Sequence, residues 1–229
     1  MRSSESRQVV QSCRGLAKTS SGSVPVEALR SASLEVQRGE MVSIVGRSGS
    51  GKSTLLYLLG GLDNPTSGKV MIDGKNLTSM GDDGLANFRN SHVGFVFQFH
   101  FLLPSMTCRD NILLPARIGG RDTKKVETDT EELAKILGVT HCLPKFPFEI
   151  SGGEQQRINI IRALSLRPKM LLCDEPTGNL DSKNSEKVTT LLKNLAADFG
   201  ATLMVVTHDD KVASFFPRKI VIEDGQIIG

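Results

Sequence analysis

The chain has 229 residues, of which 39% are hydrophobic and 23% charged, with 22 glycines and four cysteines. These proportions describe a soluble, folded chain able to bury a sizeable core, and they exclude a disulfide-stapled miniature. Lys and Arg number 28 against 25 Asp and Glu, a net charge of only +3 with no long basic run, so charge indicates neither nucleic acid nor an anionic membrane surface.

Residues 1 to about 25 are rich in Ser, Gly and Arg and end in Thr19-Ser20-Ser21-Gly22-Ser23, so a frayed edge and a loop are expected, with little buried structure before Val24. Met41–Val45 is a short β-branched run stopped by Gly46 and reads as a buried strand, followed at once by a helical pattern from Lys52 to Leu62. Val70–Ile72 ahead of Asp73-Gly74 predicts a hairpin strand, and Val93–Phe97 another buried strand. Between residues 100 and 150 the texture changes: Pro104, Pro115, Pro144 and Pro147 punctuate helical stretches such as Thr128–Leu137, and no convincing strand is found. A helix is expected over Gly152–Leu166, with Ile158, Ile161 and Leu164 on one side and Arg157 and Arg162 elsewhere. Met170–Cys173 reads as a buried strand ending on two acids; Val188, Leu191, Leu192, Leu195 and Phe199 fall at helical spacing, with Gly200 where a C-cap glycine belongs. Strands at Thr202–Val206 and Lys219–Ile222, the second followed by an Asp224-Gly225 turn, complete an alternation that argues for a mostly parallel sheet covered on both faces.

The cysteines, Cys13, Cys108, Cys142 and Cys173, lie far apart with no C-x-x-C pair, the wrong spacing for a zinc site and a poor disulfide framework, so free thiols in a reducing compartment are expected. Met1–Gln11 is polar, and no apolar run approaches the roughly 18 residues that span a bilayer. A cytoplasmic location follows as an expectation.

Gly46-Arg47-Ser48-Gly49-Ser50-Gly51-Lys52-Ser53 matches G-x-x-x-x-G-K-[ST] between a predicted strand and a predicted helix, with Thr54 next. Glycines let the backbone curl so that successive N–H groups face one centre, the helix start adds its positive end, and Lys52 brings a full charge to the β- and γ-phosphates. Ser53 can offer a hydroxyl to Mg²⁺, so a nucleotide triphosphate with Mg²⁺ is expected. Asp174 and Glu175 stand at the carboxyl end of a predicted buried strand, where open α/β sheets hold ligands. Asp174 suits Mg²⁺ and Glu175 suits the orientation of an attacking water.

Ile150-Ser151-Gly152-Gly153-Glu154-Gln155-Gln156-Arg157, placed ahead of Met170–Glu175, resembles the signature segment of ATP-binding cassette (ABC) ATPases. Its residues agree with an anion site, since Ser151 and two glycines before a helix leave N–H groups free. In that family the anion is the γ-phosphate of ATP held by the opposite subunit, which makes Ser151, Gly152, Gly153 and Glu154 nucleotide-binding residues. The resemblance runs through nearly the whole chain: Gln98 matches the Q-loop, Leu180-Asp181 the D-loop and His208 the switch histidine. It implies that Gln98 contacts Mg²⁺ and the attacking water, that His208 hydrogen-bonds the γ-phosphate, that Asp181 joins the nucleotide site, and that ATP closes two cassettes head to tail. The implied fold is an α/β phosphate-loop NTPase cassette over 1–229, with a mostly parallel RecA-like core sheet, an antiparallel N-terminal sheet and a helical subdomain inserted at about 99–160.

Leu58–Gly68, Gln98-Phe99-His100-Phe101-Leu102-Leu103-Pro104 and Asp174–Asp181 look like the LolD/MacB group, most like its lipoprotein-releasing ATPases. That implies a peripheral ATPase at the inner face of the cell membrane driving integral-membrane permease subunits, in lipoprotein release or related envelope export. The alternative is a cassette ATPase of a non-transport membrane assembly, a signalling or division module, which shares every catalytic residue. A GTPase is excluded because no N-K-x-D guanine-reading motif occurs while the signature segment does. Phe99, Phe101, Leu102, Leu103 and Met106 form an unusually apolar loop, able to receive a short permease helix or to pack the insertion's own core. Asn76-Leu77-Thr78 is a chance glycosylation match in a cytoplasmic chain.

The family usually carries an aromatic residue upstream of the phosphate loop that stacks on adenine; here that position falls near Thr19, and no Tyr, Phe or Trp precedes Tyr57. A stacked base contributes roughly 1–3 kcal/mol. GTP is therefore expected to support hydrolysis nearly as well as ATP in a side-by-side steady-state assay; a strong ATP preference would contradict this.

Overall fold

The computed structural model describes residues 8–20, 25–178, 180 and 182–229, the last range without the side chains of 182 and 183. In chain order the elements are β1 (Val9–Ser20), β2 (Val26–Gln37), β3 (Met41–Val45), α1 (Lys52–Leu59), β4 (Ser67–Ile72), β5 (Lys75–Asn76), α2 (Asp82–His92), β6 (Val93–Phe97), α3 (Cys108–Ile118), α4 (Thr123–Ile136), α5 (Gly152–Leu164), β7 (Met170–Asp174), α6 (Ser182–Asp198), β8 (Thr202–Val206), α7 (Asp210–Ser214), β9 (Arg218–Glu223) and β10 (Gln226–Ile227). They fall into two units, Met1–Leu85 with Thr202–Gly229, and Ala86–Ala201.

In the first unit β1 lies antiparallel between β2 and β4, with Cys13 opposite Leu34 on one side and Val70 on the other. This corrects the expectation of a frayed edge, because Val10, Cys13 and Leu16 are all buried. They are spaced by three rather than two, and the register shifts between Cys13 and Leu16, where Gly15 adopts φ +59. Such a shift changes which face points inward, so the alternation that betrays a strand is broken in the sequence. The Asp73-Gly74 turn behaves as expected: both residues have positive φ, the geometry of a tight hairpin, and β5 pairs back on β4. Asn76 of the sequon has a local role, its side chain accepting the Thr78 N–H to cap a single 3₁₀ turn.

The same unit holds a parallel set in which β3 pairs with β8 and β9, Ile44 facing Val206 and Ile220, while β10 closes antiparallel on β9. These strands are continuous apolar runs because both of their faces are covered; β8 is buried along its whole length. Parallel register brings the carboxyl ends of β3 and β8 to one edge, and the Thr207 N–H extends the ladder to the Ile44 carbonyl at 3.0 Å.

In the second unit β6 and β7 run parallel, Phe97 opposite Asp174. The chain between them carries helices and no strand. Leu113 and Ala116 of α3 pack with Val126 of α4 and with Leu166, and Ile158, Ile161 and Leu164 are the buried face of α5. Gly94 of β6 runs so close to the end of α5 that an added Cβ would lie 2.3 Å from the Ala163 carbonyl oxygen and 3.0 Å from the Pro168 ring. All four cysteines are free and buried. Burial pushes the Cys13 thiol up to about 11, which marks it as packing rather than chemistry.

Gly94→Ala is expected to lower unfolding free energy by about 1–3 kcal/mol through overpacking of backbone on backbone, read as a lower urea midpoint; an unchanged midpoint would contradict the close approach.

Candidate active site

β3 ends at Val45, and the chain turns through Gly46–Gly51 into α1. Two glycines fix this turn by what they exclude. A Cβ on Gly46 would lie 2.1 Å from the Ile222 carbonyl oxygen, and one on Gly51 2.3 Å from that of Ala28. Gly49, at φ +79, faces open space with nothing within 4 Å. The Gly225 N–H donates to the Ser50 carbonyl at 3.0 Å while the Gly225 carbonyl accepts from Arg30, so the Asp224-Gly225 turn props the loop from behind. At the N-cap of α1, Gly51 supplies no capping side chain. A helix start of this kind directs backbone N–H groups toward an external anion. Lys52 is buried and its ammonium donates to the Gly46 and Arg47 carbonyls at 2.9 and 2.8 Å, which centres a positive charge within the loop. The Ser50 hydroxyl is buried with no hydrogen-bond partner among the described residues, which fits a group able to bond an external ligand. Arg47, Ser48 and Gly49 are exposed, and Ser53 and Thr54 occupy the first turn of α1.

His208 follows β8 on the edge from which the phosphate loop leaves β3. It is exposed, and the residue after it is fixed by two local hydrogen bonds: Asp209 N–H donates to the Thr207 hydroxyl at 3.1 Å, and the Asp209 carboxylate accepts from Lys211 N–H at 2.8 Å to cap α7. Thr19 sits in β1, its N–H donating to the Thr66 hydroxyl at 3.0 Å.

In the second unit Gln98 and Glu175 each follow one of the paired residues Phe97 and Asp174, so parallel register alone sets them side by side. Both line one cavity of about 290 Å³ together with Gly152, Gly153, Gln156 and Gly178. Glu175 takes φ +46, a left-handed conformation rare for a non-glycine residue and typical of functional positions. The turn after it closes with the Gly178 N–H on the Glu175 carbonyl at 3.1 Å, and a Cβ on Gly178 would fall 2.8 Å from the Gln98 amide nitrogen. Asp174 is buried at the strand end. Asp181 lies outside the described residues.

The signature segment opens α5. Ser151 is the N-cap, accepting from the Glu154 N–H, and one Glu154 carboxylate oxygen accepts from the Ser151 N–H at 2.8 Å and hydroxyl at 2.6 Å. This capping box fixes the turn. These bonds, Ser151 foremost, hold the Glu154 carboxyl down at about 2.

Farther along α5 lies a set of residues that sequence reasoning missed. Gln156 donates to the Pro176 carbonyl at 2.7 Å and Asn159 to that of Phe97 at 3.0 Å. Arg162 donates to the His100 and Phe101 carbonyls at 2.6 and 2.7 Å and to the Asn159 side chain at 2.9 Å. Arg162, expected off the side of Ile158, Ile161 and Leu164, is a half-buried clamp there, and desolvation lowers its guanidinium to about 10. Spacing of three along a helix puts these side chains on one face; polar residues at that spacing, 156, 159 and 162, were the available signal.

The comparisons agree with this geometry. Residues 29–178 match the model of the ABC transporter family. The chain belongs to that family. It is 46% identical over 203 residues to the lipoprotein-releasing system ATP-binding protein LolD of Cytophaga hutchinsonii, covering 89% of this chain and 93% of the relative. It is also 46% identical over 208 residues to the LolD of Geobacter metallireducens, covering 91% and 92%. Among solved structures, the dimeric bacterial ABC transporter cassette MJ0796 superposes with a TM-score of 0.88 at 39% identity, covering 96% of this chain and 97% of that one. The same cassette, in a post-hydrolysis state with ADP and Pi, gives 0.86 at 38% identity over 96% and 97%. The chain is accordingly an ATP-hydrolysing, nucleotide-binding subunit of the LolD group. Among the described residues no helix is long and apolar enough to cross a membrane.

Arg162→Lys keeps the charge but cannot span two carbonyls at once. It is expected to lower stability by about 1–2 kcal/mol and to reduce ATP turnover; full turnover at wild-type stability would remove the clamp from the account.

Proposed function

We propose that the chain is the ATPase subunit of a lipoprotein-releasing system, seated at the inner face of the cell membrane on integral-membrane permease subunits and closing on ATP against a second copy. The observation that carries the reading is continuity between chemistry and an exposed apolar knuckle. Gln98, in the cavity with Glu175, is followed at once by Phe99, Phe101 and Leu103, which are 67%, 63% and 41% exposed. Leu102 and Met106 are only half-exposed, so the loop divides between inward packing and an outward face. Arg162 holds the carbonyls of His100 and Phe101, and Asn159 that of Phe97. A partner pressing on the phenylalanines would thereby bear on Gln98. The names of the relatives support lipoproteins as cargo.

The catalytic roles follow from the donor and acceptor chemistry. N–H groups of the segment from Gly46 to Thr54 cradle the phosphates, with Arg47, Ser48, Gly49, Ser50 and Gly51 forming the loop and Lys52 balancing their charge. Glu175 accepts a hydrogen bond from the attacking water and aligns it, and His208 hydrogen-bonds the γ-phosphate. Ser151, Gly152 and Gly153, held by the Glu154 cap, with Asp181, meet the nucleotide of the opposite copy. Ser53, Gln98 and Asp174 carry oxygen donors of the kind Mg²⁺ takes, and the ion when bound would neutralise phosphate charge. The helices between about 99 and 160 form the inserted subdomain, and nucleic acid has no part in the reading.

Three variants test it. Glu175→Gln, purified from native membranes with ATP and Mg²⁺, is expected to hold a two-copy complex with a permease of few spans, a large extracytoplasmic domain and lipoproteins. Division or signalling proteins without such a permease would overturn the transport reading and leave the ATPase standing. Phe99→Ser with Phe101→Ser should release the permease at unchanged ATP affinity, and Lys52→Ala should abolish tight nucleotide binding; retention in either case contradicts the role given.

A further inference from the structure

At the first turn of α5, Glu154 meets two side chains to which the ATPase reading gives no part, His141 and Cys142. Thr140–Cys142 is a 3₁₀ turn fixed by the Cys142 N–H on the Val139 carbonyl at 2.9 Å and the Leu143 N–H on that of Thr140 at 3.2 Å. It presents the His141 ring and the Cys142 thiol toward Glu154. His141 Nε2 lies 2.8 Å from Glu154 Oε1 and 3.4 Å from Cys142 Sγ, and one ligand atom from each of the three residues falls within 4.8 Å of the other two. Glu154 divides its labour: Oε2 serves the Ser151 cap, and Oε1 faces the histidine.

The geometry points to a divalent metal site of the zinc class at His141 Nε2, Cys142 Sγ and Glu154 Oε1. Zinc bonds of about 2.0–2.1 Å to nitrogen, 2.3 Å to sulphur and 2.0–2.2 Å to oxygen put neighbouring ligand atoms roughly 3.3–3.6 Å apart in a tetrahedron. The sulphur–nitrogen pair already has that spacing, and the histidine–carboxylate pair opens by about half an ångström as the cation replaces their hydrogen bond. One nitrogen, one thiol and one carboxylate form a mixed donor set that suits zinc and not magnesium or calcium, which take oxygen. On ligation the Cys142 thiol releases its proton to solvent and the fourth position takes water. The His141 side chain is 57% exposed and gives the ion its way in, whereas Cys142 is fully buried behind it. A bound cation joins the 140–142 turn to the residue that caps Ser151.

The test uses the full chain, free of nucleotide and chelator, titrated with Co²⁺ and followed by the thiolate-to-metal charge-transfer band and the visible bands of tetrahedral cobalt. One equivalent per chain is expected, displaced by Zn²⁺. Cys142→Ser should abolish the charge-transfer band, and Cys108→Ser, a buried thiol outside the three ligands, should keep it. His141→Gln, at an exposed position that leaves the fold intact, should weaken binding by more than about tenfold, since loss of mere outer-shell partners already costs that much. No band in the wild-type chain, or a band that survives Cys142→Ser or keeps full affinity in His141→Gln, would overturn the proposal.

Discussion

A triphosphate can be gripped by backbone only if several consecutive N–H groups are left without internal partners and the chain around them cannot relax to supply any. Gly46 and Gly51 restrict the loop by close packing, each with a carbonyl oxygen where a side chain would begin, those of Ile222 and Ala28. The loop is thereby trapped between β9 and β2, and Gly225 props Ser50 from the same unit. Lys52 and the Ser50 hydroxyl, which has no hydrogen-bond partner among the described residues, stand inside the turn so formed.

The second unit solves a different problem, which is to hold two side chains, Gln98 and Glu175, in register. Parallel pairing of Phe97 with Asp174 delivers Gln98 and Glu175 to one edge, and α5 fastens the loops that follow them. One helix thus begins with the Ser151 cap and continues with Gln156, Asn159 and Arg162 reaching those loops. Buried polar networks of this sort are costly unless every member is satisfied. Gln156, bonded through its amide nitrogen to the Pro176 carbonyl, has its side-chain oxygen buried with no hydrogen-bond partner among the described residues.

Much of this was legible in the residues. Met41–Val45, Thr202–Val206 and Val93–Phe97 are strands at the boundaries the sequence predicts, because strands buried on both faces are continuous β-branched or aromatic runs with hard stops. The phosphate loop declared itself through flanking context. β1 was hidden because its bulge at Gly15 breaks the two-residue period, and the Arg162 clamp because an arginine that holds backbone carbonyls is indistinguishable in sequence from a solvated one. The grouping of His141, Cys142 and Glu154 is not visible in cysteine spacing, since only one of the three is a cysteine and Glu154 lies in α5, twelve residues on from Cys142.

The central claim is that the γ-phosphate held by one copy's phosphate loop meets Ser151–Gly153 of another. Trapping the chain with ADP and vanadate, a γ-phosphate mimic whose irradiation cleaves the backbone it touches, tests this directly. The account predicts two cuts, one within 46–53 and one at Ser151–Gly153, both lost on dilution of the nucleotide. Cleavage in the phosphate loop alone, with the signature turn intact at full trapping, would contradict it.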